Sequence, residues 1–165
     1  MNIIAAVSKN WGIGKDNELL FHIKEDMRYF KEHTIGNIVV MGRKTLDSFP
    51  GGQPLKDRVN IVMTRNSDFC RDGVVAVHSV SELLDELKKY SGDVFVIGGG
   101  EIYNTLLPYC DKAYITKVNA DKDADTFMFD FDGSSEWEKY SESESQNNGT
   151  VEYKFTVYIK KENRQ

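Results

Sequence analysis

At 165 residues the chain has room for one domain with a sizeable core. A formal net charge of −5 argues against a general nucleic-acid surface, and although hydrophobic residues make up 40% of the chain, no apolar run is long enough to cross a bilayer. The cysteines, Cys70 and Cys110, show no CxxC spacing, and the opening MNIIAAVSKNW lacks the layout of a signal peptide, so a cytoplasmic protein with reduced thiols is expected.

The first apolar run, NIIAAVS (2–8), reads as a buried strand. WGIGKDNELLF, Trp11 to Phe21, follows neither helical nor strand periodicity and is expected to be a long loop, a candidate lid. LLFHIKEDMRYFKEHT then predicts a helix over about 24–34, with Ile23, Met27 and Phe30 as a buried stripe. Asp26 projects near the edge of that stripe and Glu25 projects away from it. A carboxylate in a first helical turn suits the positive end of the helix dipole. Against an apolar face it is also the arrangement of an acid with a raised pKa and hydrogen bonds aimed at a ligand.

IVVMG (38–42) predicts a second buried strand, followed by a short helix at about 43–49 that opens on Arg43, Lys44 and Thr45. Cations there oppose the helix dipole, a cost that makes sense where an anion binds, while the GxxxxG of a P-loop is missing. RVNIVMT (58–64) is a third strand, ending in Thr64 and Arg65, and VVAVH (74–78) a fourth. The run SVSELLDELKKY carries a capping box, Ser79 with Glu82, and predicts a helix.

DVFVIG (93–98) runs into Gly98, Gly99 and Gly100 and then a helix at about 100–107, stopped by Pro108. Glycine lets backbone approach a ligand and a helix start offers N–H groups to phosphate, although a tight turn alone would account for one glycine. Tyr103 occupies the third position of a GxGxxG fingerprint. After AYITKV (113–118), DKDADTFMFDFD places aspartates at EF-hand positions but has Thr126 where that loop needs glycine. Phe127, Phe129 and Phe131 instead predict an extended segment with one buried face. His22, His33 and His78 have no metal-ligand spacing, and no metal is expected. WEKYSESE and VEYKFTVYIKK, either side of a polar loop, predict an antiparallel hairpin at one sheet edge.

This alternation predicts an α/β fold with a mixed, mostly parallel sheet of about eight strands and about four flanking helices. Ligands of such sheets bind outside the carboxyl ends of the strands, where Arg43, Lys44 and Arg65 gather. That is more positive charge than a pyrophosphate needs and points to an extra phosphate, as in NADPH.

Taken in order, IIAAVSKNWGIGKDNELLF, VVMGRKT, NIVMTR, VIGGGEIY, YITKV, DADTF and the closing hairpin resemble dihydrofolate reductase over nearly the whole chain. The resemblance implies a single domain over residues 1–165. It implies hydride transfer from NADPH to 7,8-dihydrofolate, giving the tetrahydrofolate of one-carbon metabolism, in a cytoplasmic monomer of the class that antifolates target. It implies no nucleic-acid, membrane or obligate protein partner. By motif, Asp26 corresponds to the family's active-site carboxylate and Thr116 to the hydroxyl that supports it. Ile4, Ala6, Met27, Phe30, Phe49, Leu55, Ile97 and Tyr103 would line the substrate pocket, and Arg58 would pair with the glutamyl α-carboxylate. Ala6, Ile13, Gly14 and Leu19 would contact the cofactor around the lid. Gly42, Arg43, Lys44, Thr45, Met63, Thr64, Arg65, Ile97, Gly98, Gly99, Gly100, Glu101, Ile102 and Tyr103 would form the rest of its site, with a cis Gly98–Gly99 peptide. Leu20-Phe21 stands where the family has Pro-Trp, so the indole N–H that holds a water there is missing, and Ile23-Lys24 stands where it has Leu-Pro. FPGGQPLKDR is one residue longer than common forms. A riboflavin-pathway reductase would have no need of Asp26 together with Arg58, and a non-catalytic nucleotide- or folate-binding protein is the other alternative.

Overall fold

The computed structural model describes residues 1–161. In chain order its elements are β1 (Asn2–Val7), β2 (Gly12–Lys15), β3 (Glu18–Leu19), α1 (Lys24–Thr34), β4 (Ile38–Gly42), α2 (Arg43–Ser48), β5 (Val59–Met63), β6 (Val74–Val77), α3 (Val80–Leu87), β7 (Val94–Gly98), α4 (Gly100–Leu106), β8 (Lys112–Val118), β9 (Thr126–Phe127), β10 (Trp137–Glu142), β11 (Gln146–Asn147) and β12 (Glu152–Lys160). The main sheet follows the path β10-β12-β8-β1-β7-β4-β5-β6, with β11 pairing β12 off that path. Strands β8 to β6 along this path are parallel, and β12 runs antiparallel to both β8 and β10. The mixed α/β architecture and the edge hairpin are as the alternation predicted. Residues 162–165 of the expected domain lie outside the described residues.

The central strands are apolar on both faces because both are covered. Along β4, Ile38 and Val40 join one apolar cluster with Ile3, Val7, Ile61 and Leu106, while Val39 and Met41 join a second with Ile4, Val62 and Phe95. This is the period of two expected of strands in a sheet flanked on both sides. Helix α3 begins on Ser79, whose Oγ accepts from the Glu82 N–H at 3.0 Å. The Glu82 carboxylate reaches back to the His78 N–H at 2.8 Å, one residue earlier than a regular capping box places it.

Three expectations are corrected. First, the segment 11–21 is not structureless. Strands β2 and β3 form a hairpin and, with β9, a small second sheet. Asp16 and Asn17 both have positive φ (52° and 64°), the geometry of a two-residue type I′ turn. Second, helix α1 is turned about its axis relative to the predicted stripe. Met27 is 61% exposed. The packed side carries Asp26, Tyr29, Phe30 and His33, with Tyr29 stacked 4.2 Å from Phe155 and His33 4.7 Å from Tyr114. At about 100° per residue these positions centre on Asp26 rather than on Met27. Third, Phe127 is exposed and Met128 is buried, because β9 pairs with β2 and the chain then turns, the Met128 N–H donating to the Trp11 carbonyl at 2.8 Å.

Candidate active site

Strand β8 places Thr116 beside Ala6 of β1, at the carboxyl end of the parallel strands. Helix α1 crosses above it. The Thr116 hydroxyl donates to Asp26 Oδ1 at 2.5 Å, joining residues 90 positions apart. Burial raises the Asp26 pKa above the ordinary carboxylate range, while the Thr116 hydrogen bond, which favours the charged form, opposes that rise. Ile4, Phe30, Phe49, Leu55 and Ile97 pack together in the second apolar cluster, so five expected pocket residues share one wall. Met27 is not part of that wall. Tyr103 is buried, and its hydroxyl donates to the Ile4 carbonyl at 2.9 Å, tying α4 to β1.

Arg58 is half-buried beside the foot of α1. Its Nε donates to the Lys56 carbonyl (2.9 Å) and its Nη1 to Thr34 Oγ1 (3.1 Å). The Thr34 hydroxyl in turn donates to the Phe30 carbonyl. Among the described residues no carboxylate pairs with this guanidinium, which leaves its charge available for an anion. Thr34, the one buried residue of α1, is a positioning residue that sequence reasoning missed. Nothing local distinguishes it from a surface threonine, since Arg58 reaches it from 24 positions away.

At the next strand ends the chain passes close to itself. The Gly98–Gly99 peptide is cis, as the resemblance implied, and Gly98 has a φ of 121°. A Cβ on Gly100 would lie 2.5 Å from Thr126 Cγ2, and one on Gly42 would lie 3.1 Å from Ile102. The three consecutive glycines and Gly42 thus bring α2, α4 and β9 to one place, with Thr45 facing Gly99. Arg43 lies 3.6 Å from Asp47, whose other oxygen accepts from Arg71 at 2.8 Å, and both guanidiniums sit 5.4 Å from the Phe69 ring. Arg65 lies 3.2 Å from Glu101. Lys44 shares a shallow depression with Asn17 of the lid turn, Asp47 and Ser48. Thr64 is half-buried, and its Oγ1 accepts from the Asn66 N–H. Met63 and Ile102 pack on the first apolar cluster, across the sheet from the pocket wall.

In the lid, Ile13 is buried, while Gly14 pairs with Leu19 across the hairpin and with Thr126 of β9. Leu19 is 69% exposed. The turn is held from outside: Lys15 pairs with Asp123, and Asp125 accepts from the Asp16 N–H. Lys122 lies over the Phe21 ring and donates to the Leu20 carbonyl, in the segment where the family's tryptophan is replaced. Lys122, Asp123 and Asp125 therefore brace this hairpin segment, and no group of residues able to hold a metal occurs among the described residues.

The family model for dihydrofolate reductase matches residues 1–161. A dihydrofolate reductase of Bacillus subtilis (strain 168) is 37% identical over 163 residues, covering 98% of this chain and 95% of that protein. One from Neisseria gonorrhoeae is 35% identical, with 98% of each chain covered. Among solved structures, the dihydrofolate reductase from Enterococcus faecalis complexed with NADP(H) and RAB-propyl superposes with a TM-score of 0.87 at 35% identity, over 98% of this chain and 96% of that one.

Proposed function

The chain belongs to the dihydrofolate reductase family, and from that premise we propose the roles of its residues in reducing 7,8-dihydrofolate to tetrahydrofolate with NADPH. The observation that carries the reading is the Asp26–Thr116 pair at 2.5 Å, set against an apolar wall. Ile4, Phe30, Phe49, Leu55 and Ile97 hold the flat pterin, with Met27 on the rim and Ala6 and Tyr103 at the back. Asp26 accepts hydrogen bonds from the pterin's amino group and adjacent ring nitrogen and so orients it. Because burial favours its protonated form, the carboxyl is also poised to assist protonation at N5, through water. Arg58, already aligned by Thr34 and Lys56, pairs with the substrate's glutamyl α-carboxylate.

The cofactor supplies the hydride when bound. The residues present fit it: close backbone approach at Gly42 and Gly98 to Gly100, and Arg43, Lys44 and Arg65 together for the phosphates. Thr45, Met63, Thr64, Glu101 and Ile102 complete that side, while Ile13, Gly14 and Leu19 close over it. The chain works as a monomer in the cytoplasm. The free thiols of Cys70 and Cys110 support the compartment, the scatter of exposed apolar side chains over separate elements supports the monomer, and sedimentation tests the latter. The decisive experiment is the loss of NADPH absorbance on adding dihydrofolate. No turnover, or turnover that survives Asp26→Asn and Arg58→Leu unchanged, rejects the assignment.

A further inference from the structure

The cations at the strand ends are not equivalent. Asp47 is shared by Arg43 and Arg71, so that cluster keeps a surplus positive charge. Arg65 stands apart. Its Nη2 lies 3.2 Å from Glu101 Oε1, one guanidinium against one carboxylate, and both side chains are exposed at 94% and 76%. An acid in this position does two opposite things to an adenine ribose. It repels a 2′-phosphate and competes for the arginine that would bind it. It also accepts a hydrogen bond from a free 2′-hydroxyl, as acidic residues do where NAD is read.

We propose that Arg65 and Glu101 form a dual reader of the ribose, Arg65 taking the 2′-phosphate of NADPH and Glu101 the 2′-hydroxyl of NADH. Glu101 is thus a specificity-determining residue that makes NADH a working second hydride donor. This rests on the reading that the cofactor's adenine ribose lies at Arg65. The chemistry is the same for either donor: a hydride leaves the nicotinamide for the substrate's C=N carbon, and the proton reaches the neighbouring nitrogen. Arg65 exchanges one partner for the other with no new residue recruited, so discrimination is milder than an unpaired arginine would give.

The test is kcat/KM for NADPH and for NADH, measured at one ionic strength with wild-type enzyme, Glu101→Gln and Arg65→Ala. Glu101→Gln removes the charge and keeps the shape, and its exposure leaves the fold intact. It is expected to raise the NADPH value about threefold and lower the NADH value about threefold, within what exposed charge contacts supply, so the ratio moves about tenfold. Arg65→Ala moves the ratio the other way, towards NADH. If Arg65→Ala collapses the ratio and Glu101→Gln leaves it within twofold, the dual reader is overturned while the phosphate site stands. If neither variant moves the ratio, the placement of the adenine ribose is itself wrong and the proposal falls with it.

Discussion

Asp26→Asn is the most informative substitution. Asparagine keeps the shape and an oxygen able to accept from Thr116, so the helix–sheet contact at 2.5 Å survives. What is lost is the ionisable group. General acid–base assistance is typically worth 10²–10⁴, and because the side chain still orients the ring, kcat/KM is expected to fall by about 10²-fold, or about 2.7 kcal/mol of transition-state stabilisation. NADPH affinity, followed by fluorescence, should be nearly unchanged. The loss should shrink as pH falls, where solvent protons replace the missing acid. Stability changes in the opposite sense. The Asp26 pKa is raised by burial, so the folded state holds its proton to higher pH than the unfolded chain. The wild type therefore loses stability as pH rises from the ordinary carboxylate range through the raised folded value. Asp26→Asn removes that dependence. It should be the more stable protein at neutral pH, with the advantage fading below the ordinary carboxylate range. Glu25→Gln, on the exposed side of α1, is the control. Turnover within threefold of wild type for Asp26→Asn, or its abolition by Glu25→Gln, refutes the argument.

Thr116→Val deletes a hydrogen bond that favours the charged carboxylate, so the limb on which kcat falls as pH rises should move to higher pH; an unmoved limb means that the bond does not tune Asp26. Arg58→Leu should raise KM for dihydrofolate by roughly 30-fold or more and leave a dihydropterin without the glutamyl tail unaffected, since a charge-assisted pair is lost, with Thr34→Val giving a smaller change in the same direction. Equal losses on both substrates would make Arg58 a purely structural residue. Gly12→Ala should destabilise the lid and lower the denaturation midpoint, because its Cβ would lie 2.7 Å from Ala124 and 2.8 Å from Ser8 Oγ; overpacking of this kind costs about 1–3 kcal/mol.

Much of this protein was legible residue by residue. The apolar strands from NIIAAV to YITKV, the helix over 24–34 and the edge hairpin all follow from local periodicity, and they appear within a residue or two of the predicted bounds. The order of the motifs carried the family resemblance, and the cis Gly98–Gly99 peptide followed from it. The lid hairpin was missed for a physical reason. β2 and β3 are too short to show a period, and their third strand, β9, lies more than a hundred positions downstream. The Asp16-Asn17 pair was the one local signal available, a dipeptide that tolerates positive φ.

The site divides in the same way. Sequence by itself determined which chemical groups exist and roughly where along each element they fall: a carboxylate on the first turn of a helix, cations and glycines at strand ends, an arginine before a strand. Which way those groups face was decided only by the tertiary structure. Helix α1 is turned so that Asp26, and not Met27, centres its packed side, because Phe155 and Tyr114 on β12 and β8 capture Tyr29 and His33. Most of what arms or restrains these cations comes from outside their own elements: Thr34 for Arg58, Glu101 for Arg65 and, for Arg43, the Arg71 that shares Asp47 with it, although Asp47 itself lies one turn along the same helix. Local periodicity reports burial along one element. Pairing between elements is a property of how they cross, and no run of neighbouring residues encodes it.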